Sequence, residues 1–215
     1  EQVRRVAPIV ITNSPVNFGE KLTVSTLNYS DQHYYEMLFP SGGTSEIASF
    51  TIAEARFSNE GMYVLSSFDD EGYIGSDTVL IDIIPETISC TPDVNKLTSP
   101  TGGVGMNFSF VGSRSEGSDQ RRVYANSSSG DFDMVFGHPN DPDKESTYIC
   151  RQQSSFNTAD EVSVSMNLGG TLYWGTPGQL VHVKVENGKT YFILCDFEMS
   201  RGTTDFLIST KLELD

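Results

Sequence analysis

Histidine and tryptophan are scarce in this chain: three His in 215 residues and a single Trp, Trp174. His33, His138 and His182 lie in separate segments, none with a second His, Cys or acid at a metal-ligand spacing, so neither a zinc site nor a His-based catalytic group is expected. Nucleophile-elbow serines are absent. The glycine cluster Thr101-Gly102-Gly103-Val104-Gly105 lacks the Lys and following helix of a phosphate cradle and reads as a turn. No run approaches the roughly 18 apolar residues of a membrane span. Basic residues are few as well. Lys and Arg number 14 against 29 Asp and Glu, and the formal net charge of −15 repels phosphate backbones and anionic membrane surfaces, which argues against nucleic acid as a partner. Helical periodicity is missing throughout.

What is present points to strands. Apolar residues make up 37% of the chain, with 11% aromatics and 13 Phe, enough for a folded β protein. Pro and Gly are spread along it as many turns require. The length allows one large sandwich or two smaller domains, and the pattern favours two, residues 1–85 and 86–215. The chain opens Glu1-Gln2-Val3-Arg4-Arg5 without an apolar signal region. Its acidic, Ser-, Thr- and Gly-rich composition leads us to expect a secreted or cell-surface protein from which a leader was removed. Cys90, Cys150 and Cys195 permit at most one internal bridge, in any of three pairings, and buried free thiols are the alternative.

In the first region Leu22 and Val24 alternate inward along a strand, Tyr34 to Phe39 forms another, and Pro40-Ser41-Gly42-Gly43 stops it. Phe57-Ser58-Asn59-Glu60-Gly61-Met62-Tyr63-Val64-Leu65 follows, and Asp77 to Ile83 makes the last strand before Pro85. Asn59, Gly61 and Tyr63 ahead of a strand resemble the tyrosine corner of immunoglobulin-like domains, where the Tyr hydroxyl bonds back to the turn. Leu65 stands where the second bridge Cys of antibody domains would lie, and Met37 about where their core Trp is usual. The region therefore resembles the disulfide-free immunoglobulin-like and PKD-like repeats of bacterial surface proteins, which implies a small sandwich serving as a spacer.

Past Ile84-Pro85-Glu86-Thr87, eight or nine short strands are expected, arranged as a β-sandwich or jelly roll. Met106, Phe108 and Phe110 share one face of a strand. Phe132, Met134 and Phe136 share a face of another, with Asp131, Asp133 and Val135 opposite. The clearest unit is Gln179 to Phe197, a hairpin in which Val181, Val183 and Val185 face inward, His182 and Lys184 face water, and Asn187-Gly188 makes a type I′ turn flanked by the cross-strand pair Glu186 and Lys189. The run from Ser129-Gly130-Asp131-Phe132 through Ser146-Thr147-Tyr148 and Glu161-Val162-Ser163-Val164 to Phe192-Ile193-Leu194-Cys195-Asp196 resembles domains of secreted Bacteroidetes proteins that have no assigned activity. The fold class expected is thus all-β, two tandem β-sandwich domains with the first immunoglobulin-like.

For chemistry the sequence offers acids and one platform. Asp69-Asp70-Glu71, Asp131 with Asp133, and Asn140-Asp141-Pro142-Asp143 could gather oxygens for calcium, but no EF-hand spacing is present and solvated loop charge is the better reading. No metal, cofactor or catalytic residue is expected. Tyr173 and Trp174 are consecutive on a strand and so point to opposite faces. At least one belongs to the core, and Trp174 beside Gly175 is a candidate sugar-stacking platform, with ordinary packing the commoner use of a Trp and the better reading. Asn28, Asn107 and Asn126 match the N-glycosylation pattern, which matters only in a eukaryotic secretory pathway. The sequence supports a non-enzymatic module whose partner is an extracellular protein or glycan, or a spacer. The alternative is a carbohydrate-binding accessory module with Tyr173 and Trp174 as its ligand residues.

Overall fold

The structure, a computed structural model, describes residues 5–101, 103–152, 156 and 158–215. Strands dominate, and among the described residues the one helical element is a 3-10 turn at Phe57–Asn59. Among the described residues no helix is long and apolar enough to cross a membrane. The chain divides into two compact units, Glu1–Ile84 and Pro85–Asp215, each with its own architecture.

Unit 1 contains β1 (Val10–Thr12), β2 (Val16–Asn17), β3 (Leu22–Thr26), β4 (Tyr34–Leu38), β5 (Thr44–Ser45), β6 (Phe50–Ile52), β7 (Gly61–Asp69), β8 (Gly72–Ile81) and β9 (Ile83–Ile84). One sheet runs β1-β3-β6 and the other β5-β4-β7-β8, while β2 pairs with β9 in parallel. Alternation along β3, β4 and β7 sends Leu22, Val24, Met37 and Leu65 into a shared interior at 0–1% exposure, so Met37 and Leu65 fill the places that a Trp and a bridge Cys hold in antibody domains. Tyr63 is buried, and its hydroxyl donates to the Asn59 carbonyl at 2.9 Å. The expected tyrosine corner is thereby formed, and unit 1 is an immunoglobulin-like sandwich.

Unit 2 contains eleven strands among its described residues, more than the eight or nine expected: β10 (Lys96–Thr98), β11 (Gly105–Asn107), β12 (Phe110–Ser115), β13 (Arg121–Ser127), β14 (Gly130–Phe136), β15 (Ser146–Cys150), β16 (Glu161–Leu168), β17 (Thr171–Gly175), β18 (Leu180–Glu186), β19 (Lys189–Arg201) and β20 (Thr204–Leu214). They form one ladder, β11-β10-β20-β19-β18-β15-β16-β14-β13-β12, with β17 joining β16 to β19. That extra link closes a ring of β15, β16, β17, β19 and β18. Within this ladder β19 and β20 shift register. Leu194 pairs with Thr210 and Phe197 with Ile208, so Cys195 and Asp196 together oppose Ser209, a bulge that resets the alternation. Leu194 and Phe197, three residues apart, consequently both face the interior. Asp196 takes a positive φ of 44° there, and its N–H donates to Ser209 Oγ at 3.0 Å.

Phe132, Phe136, Phe192 and Phe197 lie fully inside with Val162, Val164 and Met166; each Phe contributes about 1.5–3 kcal/mol by burial. The turn at Asn187-Gly188 has φ of 54° and 77°, as type I′ geometry demands. Three expectations need correction. Phe110 does not share the interior face of Met106 and Phe108. Those two are buried while Phe110 is exposed, because β11 and β12 lie at opposite ends of the ladder and the chain crosses between them. His182 is 8% exposed instead of facing water. Its strand lies in mid-ladder between Thr147 and Ile193, themselves buried. Lys189 is in register with Glu186, but its ammonium meets Glu213 and Asp215, and Glu186 meets Lys184 instead.

Of the three possible pairings the structure selects Cys90–Cys195, with Cα atoms 5.7 Å apart and a sequence separation of 105. The bridge anchors the segment after Pro85 to the β19 bulge. Cys150 is a buried free thiol, pushed up to about 11 by burial.

Candidate binding face

The outward faces of β12, β13, β14, β16 and β17 build one surface of unit 2. Phe132, Met134, Val164 and Met166 point inward, so period-2 alternation turns the neighbouring Asp133 and Ser165 out. Register then lines up Gly112, Tyr124, Asp133, Ser165, Trp174 and Ser200 in a single row across the strands.

Trp174 stands next to last in this row, before Ser200, at 48% exposure. Its cross-strand neighbours are Ser165 and Ser200, too short to cover an indole. Tyr173 points the other way, its ring edge-on to Phe206 with centroids 5.0 Å apart, packed against the core. The structure thus separates the two candidates, with Trp174 on the surface and Tyr173 bracing the strand from beneath. Gly175 keeps that strand close to the interior, since a Cβ there would meet Phe197 Cε1 at 2.7 Å and Cys150 Sγ at 2.9 Å.

A second aromatic group stands at the far end of the row. Phe110 is 53% exposed, and its ring covers Gly112, where a Cβ would come within 2.7 Å of Phe110 Cε1. Tyr124 lies beside it, centroids 5.7 Å apart, with the Arg114 guanidinium carbon 5.5 Å from the Tyr124 centroid. Sequence reading missed Phe110 and Tyr124 as surface aromatics. The available signal was the Phe-Val-Gly spacing, a bulky ring two residues before a residue with no side chain.

Charges between the platforms are paired. Arg122 Nε lies 3.3 Å from Glu116 Oε2 and 3.8 Å from Asp133 Oδ1, and Arg114 Nε lies 3.8 Å from Glu116. Asn126 donates to Asp131 at 2.9 Å. Partial burial raises the Asp133 carboxyl above its ordinary value, and Arg122 opposes that shift.

The remaining sequence candidates are engaged elsewhere. Asp69 and Glu71 bind the Arg5 guanidinium at 2.9 and 3.1 Å. Asp141 accepts from Arg121 at 2.8 and 2.6 Å and from Ser113 at 3.1 Å. Among the described residues no group of three or more His, Cys, Asp and Glu could hold a metal ion. His138 Nε2 sits 3.1 Å from the Tyr148 hydroxyl. Burial holds the imidazole below its ordinary value and pushes the phenol up to about 12. In unit 1, Leu38, Met62 and Leu80 are exposed on the outer face of the β5-β4-β7-β8 sheet, with Met62 directly opposite Leu80.

No protein-family model matches the chain, and no curated protein does. Among solved structures it is similar to murine CEACAM1b, at 8% identity and a TM-score of 0.30 over 97% of this chain and 98% of that one. It is similar to the human OSCAR ligand-binding domain at 10% identity and a TM-score of 0.31, covering 97% of both chains. A mouse coronavirus receptor-binding domain complexed with its murine receptor gives 8% identity and a TM-score of 0.27 over 96% of this chain and 97% of that one. At such TM-scores these likenesses decide nothing about what this chain binds.

Proposed function

We propose that the chain is a non-enzymatic recognition module that works outside the cell, in which unit 1 is a spacer and unit 2 binds an extracellular protein or glycan through the face bearing Trp174. The observation that carries this reading is Trp174 itself. It is the only Trp of the chain and stands half exposed between two serines on an open sheet face, where its burial contributes little to the core. Large exposed aromatics on such faces are typical contact residues. Tyr173 assists by holding β17 against Phe206. The Cys90–Cys195 bridge supports an oxidising compartment, secreted or on a surface, as in the Bacteroidetes proteins the sequence resembles.

The test is to probe arrays of glycans and of extracellular proteins with the purified chain and with Trp174→Ala. The expected result is a ligand that the wild type binds and the variant loses, with unchanged circular dichroism. A ligand held equally by both proteins, or none for either, refutes this assignment of the face.

A further inference from the structure

Building on that reading of the face, we infer that its ligand is an uncharged polysaccharide segment lying across the strands, with one end stacked on Trp174 and the other on Phe110. Three features of the surface lead there. Its aromatic groups are not contiguous. Tyr124, against which Phe110 leans, and Trp174 occupy strands three steps apart in the row, about 14 Å at the usual inter-strand spacing. A protein-docking patch has a continuous apolar centre, as Met62 facing Leu80 begins to provide in unit 1. Here the stretch between the rings is filled by Asp133 and Ser165, with Asn126, Asp131 and Asn167 alongside.

Such alternation suits a sugar chain. Its C–H faces stack on rings while its hydroxyls, donors and acceptors at once, satisfy carboxylate, amide and hydroxyl groups. Sugar residues in an extended chain each span roughly one strand spacing, so a chain of several residues touches both platforms and a disaccharide touches one.

Charge complementarity selects the uncharged class. Arg114 and Arg122 are engaged by Glu116 and Asp133, Asp131 adds a further acid, and the whole chain carries −15. A uronate, sulfated or phosphorylated ligand meets repulsion from Glu116, Asp131 and Asp133, and Arg114 and Arg122 already face carboxylates of the chain itself. A neutral ligand needs no charge partner and replaces the hydration of these groups with its own hydroxyls.

The experiment titrates the protein with neutral oligosaccharides of the cello-, malto-, xylo- and laminari-series, from disaccharide to hexasaccharide, by calorimetry and by Trp174 fluorescence. It adds Trp174→Ala and Phe110→Ala, both at exposed positions that leave the core intact. Expected are affinity rising with length in at least one series, a loss of tenfold or more in each variant, and no weakening in 0.5 M salt. Binding confined to anionic glycans, or unaffected by Phe110→Ala, overturns the inference. A protein ligand that depends on Trp174 overturns it too while leaving the face assigned. If nothing on either array depends on Trp174, the assignment of the face falls with it.

Discussion

Replacing Cys90 and Cys195 together by Ala should destabilise unit 2 and leave unit 1 untouched. The bridge spans 105 residues of sequence, the larger part of unit 2, so its removal frees most of the unfolded unit. Loop-closure entropy for that length comes to about 4.8 kcal/mol at 25 °C, and native bridges commonly deliver about 2–5. With a urea slope of roughly 1.5–2.5 kcal/mol/M for a unit of this size, the midpoint falls by about 1–3 M. Trp174 is the only Trp and lies in unit 2, so its fluorescence follows that unit alone while circular dichroism follows both. Unit 1 has no cysteine and a core of its own, and its transition should stay where it was. A unit 2 shift under about 0.5 M, or an equal shift in unit 1, refutes the reasoning.

Tyr63→Phe removes the 2.9 Å bond to the Asn59 carbonyl and should cost unit 1 about 0.5–1.5 kcal/mol; calorimetry detects it, and Trp174 fluorescence stays silent. Gly175→Ala forces a Cβ to within 3 Å of Phe197 and Cys150 and should destabilise unit 2 by about 1–3 kcal/mol, visible as a lowered denaturation midpoint; an unchanged midpoint contradicts the packing. Cys150 is fully buried, and its thiol should react with a thiol reagent only once unit 2 unfolds; prompt labelling of native protein contradicts its placement. Burial lowers both His138 and His182, so the unfolded chain binds protons more readily than the folded one. Their contribution is therefore present above the unfolded histidine range and lost as pH falls through about 6.5 toward the depressed folded values. Midpoints at pH 7.5 and 5.5 should differ accordingly, and His138→Gln with His182→Gln should flatten the slope.

Features resting on neighbours in sequence were legible. Asn187-Gly188 specifies its own turn, Tyr63 and Asn59 lie four residues apart, and Phe132, Met134 and Phe136 alternate within one strand. Features resting on distant partners were not. Phe110 follows the same alternation as Met106 and Phe108, and its exposure comes from a crossing to the other end of the ladder that no local pattern records. His182 lies inside because β18 is a middle strand flanked by buried residues. The bulge at Cys195 and Asp196 carries no Gly or Pro to announce it. Trp174 was legible as a candidate from its type and its place beside Gly175, but its alignment with Asp133 and Tyr124 depends on β16 pairing with β14 across a gap in chain order.

The covalent tie also sets how unit 2 carries load. Tension applied at Pro85 and Asp215 enters at Cys90 and passes through sulfur into the middle of β19, so every strand from β10 to β18 lies inside a closed loop that force cannot lengthen. Only the short leader to Cys90 and the tail from Cys195 can be drawn out, about 90 Å of chain at full extension in place of about 430 Å for the unbridged unit. Trp174 and Phe110 both lie within the closed loop. Under that tension the chain surrenders its final strand before the segment bearing Trp174 and Phe110 could be unravelled. Reduction would remove that protection, so stretching oxidised and reduced protein should give contour lengths that differ several-fold.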